Sequence, residues 1–183
     1  MSYVTELRRL YLHFKYQGFR KGMLAAYDKL ARLWTGGPLA RYAAVTDSLW
    51  IGGQPRGTGI GTLRKNGITA VVNMRREYDY AELARLHELK YLRLPTDDQG
   101  APGLEDLKTG VEFVRREIES GGKVYIHCWE GIGRSATMAA AYFVSRGCKP
   151  LEAWDKIRKV RKFIRPTLPQ IERVDEFYYM IMQ

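Results

Sequence analysis

The sequence predicts an α/β fold: a mainly parallel central sheet flanked by helices, preceded by an amphipathic helical extension. Three observations lead there. Short β-branched and aromatic runs recur at SLWIGG (48–53), ITAVVNM (68–74), KYLRLP (90–95) and KVYIHC (123–128). Segments with apolar residues at helical spacing lie between and after them, and strands alternating with helices imply parallel pairing with helices on the sheet faces. Glycines punctuate the changes, as at Gly52-Gly53, Asn66-Gly67 and Gly121-Gly122.

Each element has its own pattern. From residue 3 to 34 the apolar positions are Tyr3, Leu7, Leu10 and Phe14, then Phe19, Met23, Tyr27, Leu30 and Trp34. This is helical spacing, and Gly18 and Gly22 interrupt it, so two amphipathic helices or one bent helix are expected. TGGPLA (35–40) reads as a hinge, dividing an extension (1–40) from the main domain (41–183). Residues 79–89 read as helical. LEDLKTGVEFVRREIES (104–120) presents Leu104, Leu107, Val111, Val114 and Ile118 on one face. RSATMAAAYFVSRG (134–147) is a helix ended by Gly147, and further helices are expected over 150–163 and 168–182.

The 183 residues suit one domain with a real core, and 45% hydrophobic with 27% charged residues is ordinary for a soluble chain. Two cysteines give no disulfide framework and fit a reducing interior. With no signal-peptide pattern, and with apolar runs such as MAAAYFV too short to span a bilayer, a cytoplasmic location is expected. The formal charge of +10 points to an anionic partner. Residues 1–40 hold Arg8, Arg9, Lys15, Arg20, Lys21, Lys29 and Arg32 against Glu6 and Asp28, so seven minus two gives half the net charge. Two readings follow for this segment. It packs on the domain with its basic side in water, or it lies peripherally on an anionic membrane. No nucleic-acid-reading motif is present, and nucleic acid is not expected as a partner.

The chemistry concentrates in YIHCWEGIGRSA (125–136), a strand, a tight loop and a helix start. Ligands of open α/β sheets bind at such loops. Gly131 and Gly133 let the backbone of Trp129, Glu130, Gly131, Ile132 and Gly133 curl into an anion nest, and the helix from Arg134 adds its positive end. The same environment lowers the pKa of Cys128, giving a thiolate poised for in-line attack on phosphorus and a phosphocysteine intermediate. Arg134 would hold the equatorial oxygens, Ser135 would donate to the sulfur, and His127 would orient the loop. The alternatives are a structural thiol or a non-catalytic phosphate-binding module. The loop lacks the Gly-Lys-Ser/Thr of nucleotide-binding loops. Cys148 reads as a structural thiol.

HCWEGIGRS resembles the His-Cys-X5-Arg-Ser/Thr signature of the cysteine-dependent protein tyrosine phosphatases, and the chain is similar to their dual-specificity branch over most of residues 42–183. SLWIGGQP, GITAVVNM and RPTLPQ look like family segments in family order. The resemblance implies that fold, no cofactor and no metal. It also implies a general acid in LPTDDQGAP: Asp98, which keeps the Asp-X-X-X-Pro spacing to Pro102, with Asp97 as a turn-capping neighbour. Gln170 would position the hydrolytic water. The expected substrate is a phosphorylated protein, and the alternative is a phospholipid. NMRREYDY (73–80), the acid loop, SATM and the basic extension resemble the phosphatidylglycerophosphate phosphatases. Trp129 and Glu130 stand where that group carries lysine and alanine, and a carboxylate at the rim disfavours polyphosphoinositide headgroups.

Overall fold

The structure, a computed structural model, describes residues 3–183, with side chains from Leu7 onward. Met1, Ser2 and the Tyr3 side chain, all part of the expected extension, lie outside the described residues. Among the described residues the sheet has four strands in the order β1-β4-β2-β3, all parallel: β1 (Leu49–Gly52), β2 (Ala70–Arg75), β3 (Lys90–Thr96) and β4 (Val124–His127). Helices connect them: α1 (Tyr3–Thr35), α2 (Ala40–Ala43), α3 (Gly59–Lys65), α4 (Ala81–Leu86), α5 (Leu104–Glu119), α6 (Arg134–Ser145), α7 (Pro150–Val160) and α8 (Leu168–Met182).

Strand residues alternate between two cores, as a two-residue side-chain period requires. Leu49, Ile51, Val72, Met74, Val124 and Ile126 face α5, α6, α7 and α8. Trp50, Val71 and Tyr125 face the other way, onto Ala43, Ile60, Leu63 and Ala84 of α2, α3 and α4. Strands β1, β2 and β4 are buried along their whole length, whereas β3 is the half-exposed edge. The strand that carries Cys128 at its end therefore sits inside the sheet.

Three local differences from the sequence reading have physical reasons. Helix α3 was not anticipated, because GTGIGTLRK has three glycines, yet Ile60 and Leu63 bury fully enough to fold it. Helix α4 is shorter than 79–89, running Ala81–Leu86, where His87 and Glu88 turn out of the helix. The segment read as a hinge is packed rather than loose. Gly36, Gly37 and Pro38 are buried, and Gly36 O accepts from Arg56 N at 2.8 Å.

Helix α1 bends at Gly18, whose φ of 77° and ψ of 171° are non-helical. It packs on the domain, but with the face opposite to its apolar stripe. His13, Ala25, Asp28 and Arg32 are buried, while Phe19 (73%), Leu30 (56%) and Trp34 (90%) are exposed. The buried polar groups are paired: Arg161, fully buried, donates to Asp28 Oδ2 at 3.0 Å, and Arg32 donates to the same oxygen at 3.2 Å. Burial opposes ionisation of Asp28, but the two guanidinium groups outweigh it and hold its pKa below the usual carboxylate value. Among the described residues no helix is long and apolar enough to cross a membrane.

Candidate active site

Strand β4 ends at His127, and the loop 128–133 turns above the sheet before α6 begins. The loop's carbonyls are drawn outward one after another. Trp129 O accepts from Gln54 N (3.0 Å), Glu130 O and Gly131 O from Arg161 (2.7 and 2.6 Å), and Ile132 O from Arg165 N (2.8 Å). With the carbonyls anchored outside, the opposing N–H groups are free to turn inward, which is how an anion nest is built. Gly131 has a φ of 75°, and a Cβ there would lie 2.2 Å from the Gly52 carbonyl carbon, so glycine is required by both conformation and space.

Cys128 lies at the floor of the nest. Its Sγ accepts from Gly131 N at 3.2 Å and lies 3.5 Å from Ser135 Oγ. Burial works against ionisation of this thiol. The Arg134 charge and the donors of Ser135 and Gly131 outweigh it, and the pKa falls below the ordinary thiol value. Alkylation by iodoacetamide followed against pH should therefore show a midpoint below that of a free cysteine. A midpoint at the free-cysteine value would contradict this.

The buried His127 is pushed down to about 3, chiefly by burial, with the Arg75, Arg134 and Arg32 charges adding to it. A neutral ring fits its contacts: Nδ1 donates to Cys128 O at 3.1 Å, and Nε2 takes the Tyr80 hydroxyl. Neither nitrogen is directed at the sulfur as a base.

Arg134, 2% exposed, opens α6 with its guanidinium under the loop. Nη1 donates to Glu77 Oε2 (2.9 Å) and Thr96 O (2.8 Å), and Nη2 to Glu77 Oε1 (3.1 Å) and Asp98 Oδ1 (3.0 Å). Burial opposes the Glu77 charge, yet donation from Arg134 and Arg75 holds it down to about 2. The fork of Arg134 is thus fixed in one plane before any ligand arrives.

The two aspartates separate clearly. Asp98 lines the cavity with Cys128 and Arg134, whereas Asp97 pairs with the exposed Arg76 at 2.7 Å and its carbonyl accepts from Gly100 N. Gln170 is 1% exposed and braces the acid loop, its Nε2 donating to Gly100 O at 2.7 Å and its Oε1 accepting from Thr167 N at 3.0 Å. Trp129 lies under a guanidinium, with Arg75 4.3 Å from its ring centroid. Glu130 does not stand bare at the rim: His13 Nε2 lies 3.6 Å and Arg9 Nη1 3.9 Å from its carboxylate. Cys148 is half-buried, packed against the core below α6.

The cavity, of about 590 Å³, extends well beyond the nest. Arg9, Leu12 and Tyr16 of α1 form one wall, and Arg165, Pro166 and Thr167 another. Sequence reasoning did not find Glu77, Arg161, Arg165, Arg9 or Asp28 as site-building residues. Asp28 carried one signal: it is an acid on a helix otherwise dominated by cations.

The family described as dual specificity phosphatase, catalytic domain, matches residues 49–180. A relative in Rattus norvegicus, phosphatidylglycerophosphatase and protein-tyrosine phosphatase 1, is 32% identical over 154 residues, covering 78% of this chain and 80% of the relative. The protein of the same name in Homo sapiens is 33% identical over 127 residues, covering 65% of this chain and 63% of the relative, so the chain spans under two thirds of the human protein. The crystal structure of PTPMT1 in complex with PI(5)P superposes with a TM-score of 0.71 at 30% identity, over 75% of this chain and 94% of that one.

Proposed function

We propose, since this chain belongs to the dual-specificity phosphatase family and is a cysteine-dependent phosphatase, that Cys128 is its nucleophile, Arg134 its phosphate clamp and Asp98 its proton donor. The observation that supports this most is one cavity holding all three, with the sulfur 3.2 Å from Gly131 N and Arg134 Nη2 3.0 Å from Asp98.

Substrate phosphate enters the nest and takes the inward N–H groups and the Arg134 fork. The thiolate attacks phosphorus, the S–P bond forms as the P–O bond breaks, and the Asp98 carboxyl gives its proton to the departing oxygen. Charge spread over the equatorial oxygens meets donors already in place. Water then attacks the phosphocysteine, its proton passing to the Asp98 carboxylate. The S–P bond breaks, and the sulfur leaves as a thiolate held by Gly131 and Ser135.

For the substrate class, α1 favours a membrane phospholipid over the phosphoprotein that the sequence put first. Phe19, Met23, Tyr27, Leu30 and Trp34 form an exposed apolar stripe, framed by the exposed Arg8, Lys15, Arg20 and Lys21. That combination suits the interface of an anionic bilayer, where rings and aliphatic chains enter the acyl boundary and cations meet headgroups. The same helix walls the cavity through Leu12 and Tyr16, so a docked helix would hold the site at the lipid surface. The protein would then be peripheral, held by this one face.

The test compares phosphatidylglycerophosphate in anionic vesicles with phosphotyrosyl and phosphoseryl peptides. Replacing Phe19, Leu30 and Trp34 together by serine should weaken vesicle binding and vesicle turnover about tenfold or more, since each side chain loses apolar burial in the interface. Hydrolysis of a soluble aryl phosphate should not change. Peptide turnover far above vesicle turnover, with the triple variant binding vesicles normally, would return the substrate to phosphoprotein.

A further inference from the structure

The part of α1 before Gly18 crosses the mouth of the cavity and is tied to it at several points. Gln17 Nε2 donates to Phe163 O (3.1 Å) and Ile164 O (3.2 Å), and Arg165 Nη1 donates to Leu12 O (3.1 Å). These bonds fix the helix over the loop that precedes α8. One more tie reaches the acid itself: Arg9 Nη2 donates to Asp98 Oδ2 at 2.6 Å.

Asp98 therefore has each carboxylate oxygen engaged by a different guanidinium, Oδ1 by Arg134 at 3.0 Å and Oδ2 by Arg9 at 2.6 Å. The two partners are not equivalent. Arg134 belongs to the phosphate nest, so a bound phosphate competes for its Nη2 and releases Oδ1 beside the leaving oxygen. Arg9 sits outside the nest on another element and can keep its hold on Oδ2 throughout.

We infer that Arg9 is a positioning residue for proton transfer: it anchors one oxygen of Asp98 so that the other faces the leaving group. This rests on the reading of Asp98 as proton donor. An anchor is needed, because the Asp98 side chain is 39% exposed on a turn, and Arg9 holds it from outside the nest. When the Oδ1–H proton moves to the ester oxygen as the P–O bond breaks, the negative charge left on the carboxylate already has the Arg9 donor at its other end. In the second step the same anchored carboxylate is oriented to take a proton from water. Residues 49–180 carry the family match, so this role falls to a helix outside the matched region.

The test uses the full chain and two soluble esters, so membrane docking does not enter. Phenyl phosphate has a poor leaving group that needs the proton, and dinitrophenyl phosphate has one that departs without it. The readout is the ratio of kcat/KM for the first ester to kcat/KM for the second. Mispositioning a catalytic group by about 1 Å can cost up to about a hundredfold, and general acids contribute roughly a hundredfold or more. Arg9→Ala should lower the ratio about tenfold, Arg9→Lys should recover most of it, and Asp98→Asn should lower it further. Adding Arg9→Ala to Asp98→Asn should lower it no more, because the two act as a unit. If Asp98→Asn lowers the ratio while Arg9→Ala leaves it unchanged, Arg9 is only a structural ion pair and the inference fails. If Asp98→Asn itself leaves the ratio unchanged, the proton-donor assignment fails first, and the role of Arg9 goes with it.

Discussion

Cys128→Ser is expected to lower kcat by at least about four orders of magnitude, the scale of loss when a covalent nucleophile is removed. The reason lies in the surroundings of the sulfur. Arg134, Ser135 and Gly131 hold an anion there, against the opposing effect of burial. A serine hydroxyl at that place stays protonated, and neither His127 nitrogen is free to take its proton, since one donates to Cys128 O and the other meets Tyr80. The nest is built by backbone and by Arg161, so it survives the substitution. Inorganic phosphate or vanadate should bind the variant within a few-fold of the native affinity. Rapid quenching with labelled substrate should trap phosphoenzyme in the native protein and none in the variant. A variant that keeps more than about a hundredth of native kcat would remove Cys128 from the role of nucleophile.

Arg134→Lys should lower kcat/KM about a thousandfold, the low end of what an arginine clamping a transferred phosphoryl group supplies. The change keeps the charge and loses the fork. A lysine ammonium cannot donate in parallel to both Glu77 oxygens, now at 2.9 and 3.1 Å, while also reaching Thr96 O and Asp98. The thiol provides an internal comparison. Arg134→Lys keeps a positive charge near the sulfur and should move its ionisation midpoint little, whereas Arg134→Met should raise it, since removing the cation disfavours the thiolate. Equal midpoints in the two variants would mean that Arg134 is not what holds the sulfur ionised. Thermal melts alongside separate lost chemistry from lost folding, because Glu77 keeps its bond from Arg75 at 2.9 Å and is 40% exposed rather than in the core.

Much of this was legible in the sequence because it is local. Strand alternation, glycine punctuation and the Cys128-to-Arg134 spacing are written within short windows, and the resemblance of HCWEGIGRS carried the reaction class. The resemblance favoured Asp98 over Asp97 through its spacing to Pro102; Asp98 lines the cavity, and Asp97 pairs with Arg76. What was not legible joins distant positions. Glu77 meets Arg134 across 57 residues, and Arg161 meets Asp28 across 133. No local pattern marks such pairs. The orientation of α1 was hidden for a different reason. An apolar stripe ordinarily marks the buried face, but here buried ion pairs hold the polar face inward and leave the stripe outside.

The pairing of Arg161 with Asp28 bears on where this enzyme can be trimmed. A boundary drawn at residue 40, or at the start of the family match at residue 49, would strip a fully buried guanidinium of its carboxylate while leaving it bonded to the carbonyls of Glu130 and Gly131. The cut removes the carboxylate and the helix packed over this region together, so the loss would fall on the loop that cradles phosphate. The first helix is thus a component of the catalytic unit, and a shortened chain that looks complete by similarity would fold around a weakened site.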